Sequence, residues 1–309
     1  MVKAKWYKGN IHTHTTESDG DEAPEKVVRW YRQHGYDFLV LSDHNHLTLF
    51  EYAEGRRHYK KPLMIPGEEV SALVQAGGRS VPIHIGGIGI SRVVEPVDAG
   101  QVVSTIQANI DAILDAGGIA SINHPNYKWA FDHRELRQVK GASLVEVFNG
   151  HPGTNSDGGH GKPSGEQIWD GVLSANRVIF AAATDDSHNY HDFHPKRSNP
   201  GRGWLMVRST EFSRDAIVNA IAAGEFYAST GIVLEEVEAS PERICLRIEQ
   251  WRDLIYQTRF TGRDGTVLAE AEGPEPSYKP GGDEGYVRAT VRSSSPGERA
   301  WTQPVFLTG

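Results

Sequence analysis

The sequence predicts an α/β domain built on a parallel sheet or barrel, followed by a small all-β domain. Three observations predict it. Short apolar runs alternate with helix-like stretches across residues 1–231, and helical signals stop beyond Gly231. Histidines and carboxylates recur where the predicted strands end. A chain of 309 residues is long enough for one large domain and a small one.

The elements follow in order. Ala23–His34 carries Val27, Val28, Trp30 and Tyr31 among charges with Pro24 near its start, an amphipathic helix. Phe38–Leu41, Leu63–Ile65 and Val81–Ile85 read as strands. Gln101–Ala116 places Val102, Ile106, Ile110, Ile113 and Leu114 at helical spacing and is closed by Gly117 and Gly118. Ile119–Ile122, Leu144–Phe148 and Val178–Ala183 are further strands, with helices at Gly165–Ala175 and Ser213–Ala223. Such alternation implies βα units. From residue 232 onward, β-rich runs at Val233–Val237, Ile244–Gln250, Leu254–Phe260, Tyr286–Val291 and Gln303–Leu307 are separated by Gly- and Pro-rich turns, the pattern of a β-sandwich.

Composition narrows the function. The net charge of −8 argues against nucleic acid or an anionic membrane surface as the main partner, leaving a small-molecule substrate. The lone Cys245 excludes an intrachain disulfide and a thiolate metal cage; it is expected as an apolar strand residue. Met1–Gly9 lacks the apolar stretch of a signal peptide and no run is long enough to span a bilayer, so a cytoplasmic location is expected. The oligomeric state is not encoded in any pattern we recognise.

His12 and His14 stand two apart, which on extended chain puts both rings on one side. Asp19 follows before Gly20, where it is either a ligand or an ordinary turn aspartate. Later strands end in Ser42-Asp43-His44-Asn45, Gly67-Glu68-Glu69, Asn123-His124-Pro125 and Thr184-Asp185-Asp186-Ser187-His188, while His84 lies within a strand. In a parallel barrel these ends converge on one face. Imidazole and carboxylate without sulfur suit catalytic zinc, iron or manganese. Two such cations sharing a bridging carboxylate sit about 3.5–4 Å apart and generate a hydroxide at neutral pH.

In order, His12-Thr13-His14, Ser18-Asp19-Gly20, Ser42-Asp43-His44-Asn45, Gly67-Glu68, Asn123-His124-Pro125 and Asp186-Ser187-His188 resemble the motif series of the PHP (polymerase and histidinol phosphatase) metallohydrolases. Trp6-Tyr7-Lys8-Gly9-Asn10, Phe148-Asn149-Gly150-His151-Pro152 and the stretch from Asp185 to Pro200 resemble its CehA/McbA branch. The resemblance implies a distorted (β/α)7 barrel at residues 1–231 and an appended β-sandwich at 232–309. It implies a first metal on His12, His14, Glu68 and Asp186, a second on Glu68, His84 and His124, and a third on Asp19, His44 and His188. Asp19 stands where several relatives carry histidine, and the surroundings of His84 match loosely, so His84 also reads as a packed strand residue.

Of the remaining candidates, Asp43 and Asp185 flank ligands and are expected to orient imidazoles. Glu69 and His46 are expected to be structural or to support the ligands. His151 and His191 are candidates for shaping the pocket, and His34, His58 and His133 for the surface. Lys196, Arg197 and Arg202 lie on a loop that is either simply solvated or an anion clamp. Trp129 and Phe131 are candidates for an aromatic wall, or for core. The expected activity is phosphoester hydrolysis by a metal-bridging hydroxide, with two or three zinc, manganese or iron ions and with Glu68, Asp186 and His188 at the reacting centre. The alternatives are carbamate or carboxylic ester hydrolysis and a non-catalytic metal-dependent binding protein.

Overall fold

The computed structural model describes residues 3–51 and 61–307. His58 lies outside them. The chain runs β1 (Lys5–Asn10), α1 (Pro24–Gln33), β2 (Phe38–Leu39), β3 (Leu63–Met64), β4 (Gly67–Ala76), β5 (Arg79–Ile88), α2 (Val102–Asp115), β6 (Ile119–Ile122), α3 (His133–Leu136), β7 (Ala142–Asn149), α4 (Gly165–Leu173), β8 (Phe180–Thr184), β9 (Trp204–Ser209), α5 (Arg214–Ala222) and β10 (Phe226–Ser229). It continues as β11 (Leu234–Ala239), β12 (Ile244–Ile248), β13 (Tyr256–Thr261), β14 (Val267–Glu272), β15 (Ser277–Tyr278), β16 (Tyr286–Ser293), β17 (Arg299–Thr302) and β18 (Val305–Phe306). None of the described helices is long and apolar enough to cross a membrane.

The helices form where apolar spacing and end signals agree. Pro24 occupies the first turn of α1, whose Val27, Val28 and Tyr31 are buried on one face. Ile106, Ile110 and Ile113 of α2 are fully buried, each contributing about 1.5–3 kcal/mol of transfer free energy. Ser164 and Gln167 close a reciprocal capping box at the start of α4.

The strands depart from a closed ring of parallel βα units. One sheet holds β4-β5-β6-β7-β8, in which β4/β5 and β5/β6 are antiparallel and only β6/β7 and β7/β8 parallel. A second runs β14-β13-β16-β17-β10-β9-β1-β2-β3, parallel at β1/β2 and β2/β3 and antiparallel at β1/β9. The two meet through single parallel bridges, Thr13 with Ser187 and His44 with Glu69. The antiparallel pairings follow from a tight hairpin at Gly77-Gly78, which joins β4 to β5 without the helical crossover a parallel pair needs.

The C-terminal strands share the sheet that holds β1. The ladder β13-β16-β17 continues into β10, β9 and β1, while β11, β12 and β15 form a separate three-stranded sheet. Between these layers lies an apolar core of Leu234, Leu246, Ile248, Phe260, Val287 and Val291, and half-buried Trp6 of β1 and Met206 of β9 pack against it. Cys245 is a half-buried strand residue of β12, as expected.

Candidate metal centre

Eight predicted ligands, Asp19 among them at the mouth, meet at the seams between the two sheets. His12 and His14 follow β1 and point the same way, while Thr13 between them turns back to the Tyr31 hydroxyl at 3.1 Å. Asp186 and His188 follow β8, His124 follows β6, His44 follows β2, and His84 projects from β5. His124, Asp186 and Asn45 adopt left-handed backbone at φ 23°, 48° and 50°, conformations that neighbouring structure must enforce in non-glycine residues.

The carboxylate at the middle of this group is Glu69, where the sequence reading had Glu68. Glu69 Oε1 lies 3.3 Å from His12 Nε2, 3.3 Å from His84 Nδ1 and 3.1 Å from His124 Nε2. Its Oε2 lies 3.5 Å from His14 Nε2 and 3.0 Å from His44 Nδ1. Glu68 faces the opposite side of β4, where Oε1 accepts the Val94 N–H at 2.6 Å and burial pushes its carboxyl up to about 7. Strand parity decides between them. Ser71 pairs with His84 across the β4/β5 hairpin, so every second residue back from Ser71, including Glu69, shares the face of His84. Gly67 permits the close approach: a Cβ there would stand 2.6 Å from the Gly87 carbonyl oxygen.

Asp186 supplies a second carboxylate, with Oδ1 at 3.2 Å from both His12 Nε2 and His14 Nε2. Asp19 is more exposed and stands at the mouth, 3.2 Å from His188 Nε2, 3.5 Å from His14 Nδ1 and 3.6 Å from His44 Nε2. Ligand atoms therefore fall into four overlapping sets, each within 4.8 Å: His14, Asp19, His44 and His188; His12, Glu69 and His124; His12, His14 and Asp186; His44, Glu69 and His84.

The donor set fits divalent cations. His12 Nε2, His14 Nε2 and His84 Nδ1 are buried without a hydrogen-bond partner, although carboxylate oxygens stand nearby. A buried imidazole nitrogen left so is costly unless its lone pair meets a Lewis acid. Without a cation the cluster is held by protons. Burial opposes charge on His12, but Asp186, Glu69 and Glu146 outweigh it and raise its pKa well above the usual value. Burial and then His188 push His14 down to about 4. Burial resists ionisation of Glu69 and Asp186 too, yet His12 and the neighbouring imidazoles hold both well below the ordinary carboxylate range.

Asp43 and Asp185 support the centre, but through its loops and not, as expected, by orienting imidazoles. Asp43 accepts the Thr15 N–H at 2.7 Å and the hydroxyls of Thr15, Ser18 and Thr48, fixing the loop between His14 and Asp19. Asp185 accepts the Tyr31 hydroxyl and the Arg202 and Gly203 N–H groups. The sequence reading missed Glu146, Ser71, which lies 2.7 Å from His44 Nδ1, and Tyr127. Tyr127 is half-buried, its ring 5.4 Å from His124 and 6.0 Å from His84. It takes the place expected of Trp129 and Phe131. Phe131 is core, and Trp129 has His160 as its ring neighbour.

The predicted substrate contacts separate as well. His151 joins the rim, 5.8 Å from the His188 ring and 6.3 Å from Tyr127. His191 is exposed and sits on the turn at 21–22, its Nε2 3.1 Å from the Asp21 carbonyl. Arg202 donates to the Gly150 and His194 carbonyls at 2.7 and 2.9 Å and to Asn199, and Arg197 donates to Asp192 at 3.2 Å. Arg197 is tied into its own loop, Arg202 ties that loop to the segment after β7, and Lys196 is exposed. His46 is exposed near Glu17, and His34 stacks on Trp30.

No protein-family model and no curated protein matches the sequence. Solved structures do resemble it. One is a two-domain protein from Bacteroides vulgatus "containing predicted PHP-like metal-dependent phosphoesterase". It is 18% identical with a TM-score of 0.53 over 97% of this chain and 87% of that one. A candidate metal-dependent phosphoesterase from Bifidobacterium adolescentis gives 14% and 0.40 over 62% and 89%. An amidohydrolase from Chromobacterium violaceum, with bound sulfate and no metal, gives 16% and 0.39 over 62% and 93%. The first of these carries the comparison: the chain shares its PHP-like fold along nearly its whole length.

Proposed function

We propose that the chain is a metal-dependent hydrolase, and that its substrate is a small phosphoester. The observation that carries this reading is the buried cluster in which Glu69 and Asp186 face imidazole nitrogens that have no hydrogen-bond partner. His12, His14, Glu69 and Asp186 would hold one cation, His84, His124 and Glu69 a second, and Asp19, His44 and His188 a third. Bound zinc, manganese or iron supplies Lewis acidity and lowers the pKa of water, so the chain needs no nucleophilic side chain.

The chain's own groups then position and exclude. Glu69 and Asp186 keep their negative charge at neutral pH, so they compete for cations against protons. His151 Nδ1 accepts the Gly153 N–H at 3.0 Å, which leaves Nε2 as the proton-bearing atom of a neutral ring. Burial lowers its pKa, which favours that neutral form, and Nε2–H is suited to donate to charge that develops on a departing oxygen. We take residues 232–309 as a supporting β unit that carries no chemistry of its own.

Carbamate or carboxylic ester hydrolysis is the second reading. It is favoured by the engagement of Arg197 and Arg202 with protein acceptors and by the aromatic Tyr127 at the rim. Elemental analysis of the purified chain, with a panel of phosphoesters, aryl esters and carbamates assayed with and without chelator, tests both. Two or three equivalents of metal with chelator-sensitive phosphoester turnover support the first reading. Turnover of carbonyl esters alone selects the second. Metal without any turnover leaves a metal-dependent binding protein, and no metal after reconstitution sinks the hydrolase.

A further inference from the structure

Glu146 lies in the middle of β7, is 3% exposed, and belongs to none of the ligand sets. Its Oε1 accepts from His12 Nδ1 at 2.7 Å and from the Thr184 hydroxyl at 2.6 Å. Its Oε2 accepts the His124 N–H at 2.7 Å and the Asn149 side-chain N–H at 2.8 Å. Four donors from four segments thus converge on one carboxylate: the residues after β1 and β6, and the ends of β7 and β8. His12 is the one ionisable side chain among these donors, and no lysine or arginine pairs with Glu146 among the described residues.

From this the geometry points to Glu146 as the positioning residue of the centre, which sets His12 and His124 together as ligands. This inference rests on the metal-dependent reading above. Two consequences give it content. Accepting at Nδ1 fixes the proton of a neutral His12 there, so that the lone pair lies on Nε2, the orphaned atom that faces Glu69 and Asp186. Accepting the His124 N–H holds a backbone that otherwise has little reason to sit at φ 23°. One carboxylate therefore sets the ring orientation of one candidate ligand and the chain direction of another.

Its replacement by glutamine is the discriminating change. A glutamine offers one acceptor oxygen, and its amide N–H₂ meets two further donors whichever way it is turned. The test uses the full chain stripped of metal. Zinc affinity is read by competition with a chromophoric chelator, and cobalt(II) coordination from its visible absorption spectrum. The expected result for Glu146→Gln is zinc binding weaker by about 10–100-fold, with a changed cobalt band. Wild-type affinity and spectrum in that variant would overturn the inference and leave the hydrolase reading intact. Absence of metal binding by the wild-type chain would defeat the hydrolase reading and take this inference with it.

Should Glu146→Gln fail to fold, a measurement on the wild-type chain decides. In ¹⁵N-histidine-labelled, zinc-loaded protein, His12 is expected as the Nδ1–H tautomer with Nε2 shifted by metal. An Nε2–H tautomer at His12 would overturn the assignment of Glu146.

Discussion

Two buried clusters of charge behave in opposite ways. Where α4 meets β16, Arg288 is 2% exposed, and its Nε and Nη2 donate to the two oxygens of Asp170, both at 2.7 Å. Tyr286 donates to Asp170 at 2.8 Å, Arg288 Nη1 donates to Thr290 at 2.7 Å, and the guanidinium lies over the Trp169 ring. Donors and acceptors there are matched within the protein. At the metal centre the acidic and basic groups are just as close, yet buried imidazole nitrogens have no hydrogen-bond partner. The difference teaches what each cluster is for. A cluster complete in itself joins two parts of the chain, whereas an incomplete one is built for something the chain does not supply.

The strongest way to break this contrast is to change the shared carboxylate. Glu69→Gln removes the charge that stands beside five imidazoles, and turnover of the best ester in the panel is expected to fall by about 10⁴-fold, or roughly 5.5 kcal/mol. Metal content should fall with it while the fold persists. Near-normal turnover and metal content in Glu69→Gln would refute the reading of the centre.

Next in size is the junction. Arg288→Met leaves Asp170 buried and unpaired, and a loss of about 3–5 kcal/mol in urea unfolding is expected. Metal content per folded molecule should not change, because none of the four ligand sets touches this pair. A variant that kept its stability but lost metal would erase the distinction between the clusters.

Cation addition sharpens the same point from the other side. At about 100 times its dissociation constant, a single bound ion stabilises the folded chain by about 2.7 kcal/mol. Thermal unfolding of wild type and Glu69→Gln, each with zinc or with chelator, should show that gain in wild type and most of it lost in the variant.

How much of this was legible in the sequence depends on which residue one asks about. The ordered His and Asp signals were visible because ligand-bearing segments end strands, and the structure brings His12, His14, Asp19, His44, His84, His124, Asp186 and His188 together. Helices α1, α2, α4 and α5 were legible from apolar spacing and end signals, with observed ends within two residues of the expected ones, whereas the single turn α3 was not foreseen. The β4/β5 hairpin was not, because residues 67–69 read as the end of a short strand at 63–65 and not as the start of a ten-residue one. Glu146 was invisible for a different reason. One carboxylate within the run Leu144-Val145-Glu146-Val147-Phe148 carries no local sign that its four partners come from three other segments and the end of its own strand. The antiparallel pairing of β5 with β6 escaped because a helix joins consecutive strands in either arrangement.

The smallest expected effect is also the one that separates two neighbouring residues. Glu68→Gln should alter turnover by less than about three-fold and leave metal content unchanged, since a factor of three corresponds to only about 0.65 kcal/mol. The reason is parity. Glu68 shares β4 with Glu69 but faces Val94, and an amide oxygen there still accepts the Val94 N–H. The amide also replaces an Oε2 that is buried without a partner, so little is lost in stability. Measured side by side, the two glutamine variants convert a one-residue question of register into a difference of three orders of magnitude or more. If the large loss fell on Glu68 instead, strand β4 would have to present its other face to the histidines, and His84 would leave the centre with it.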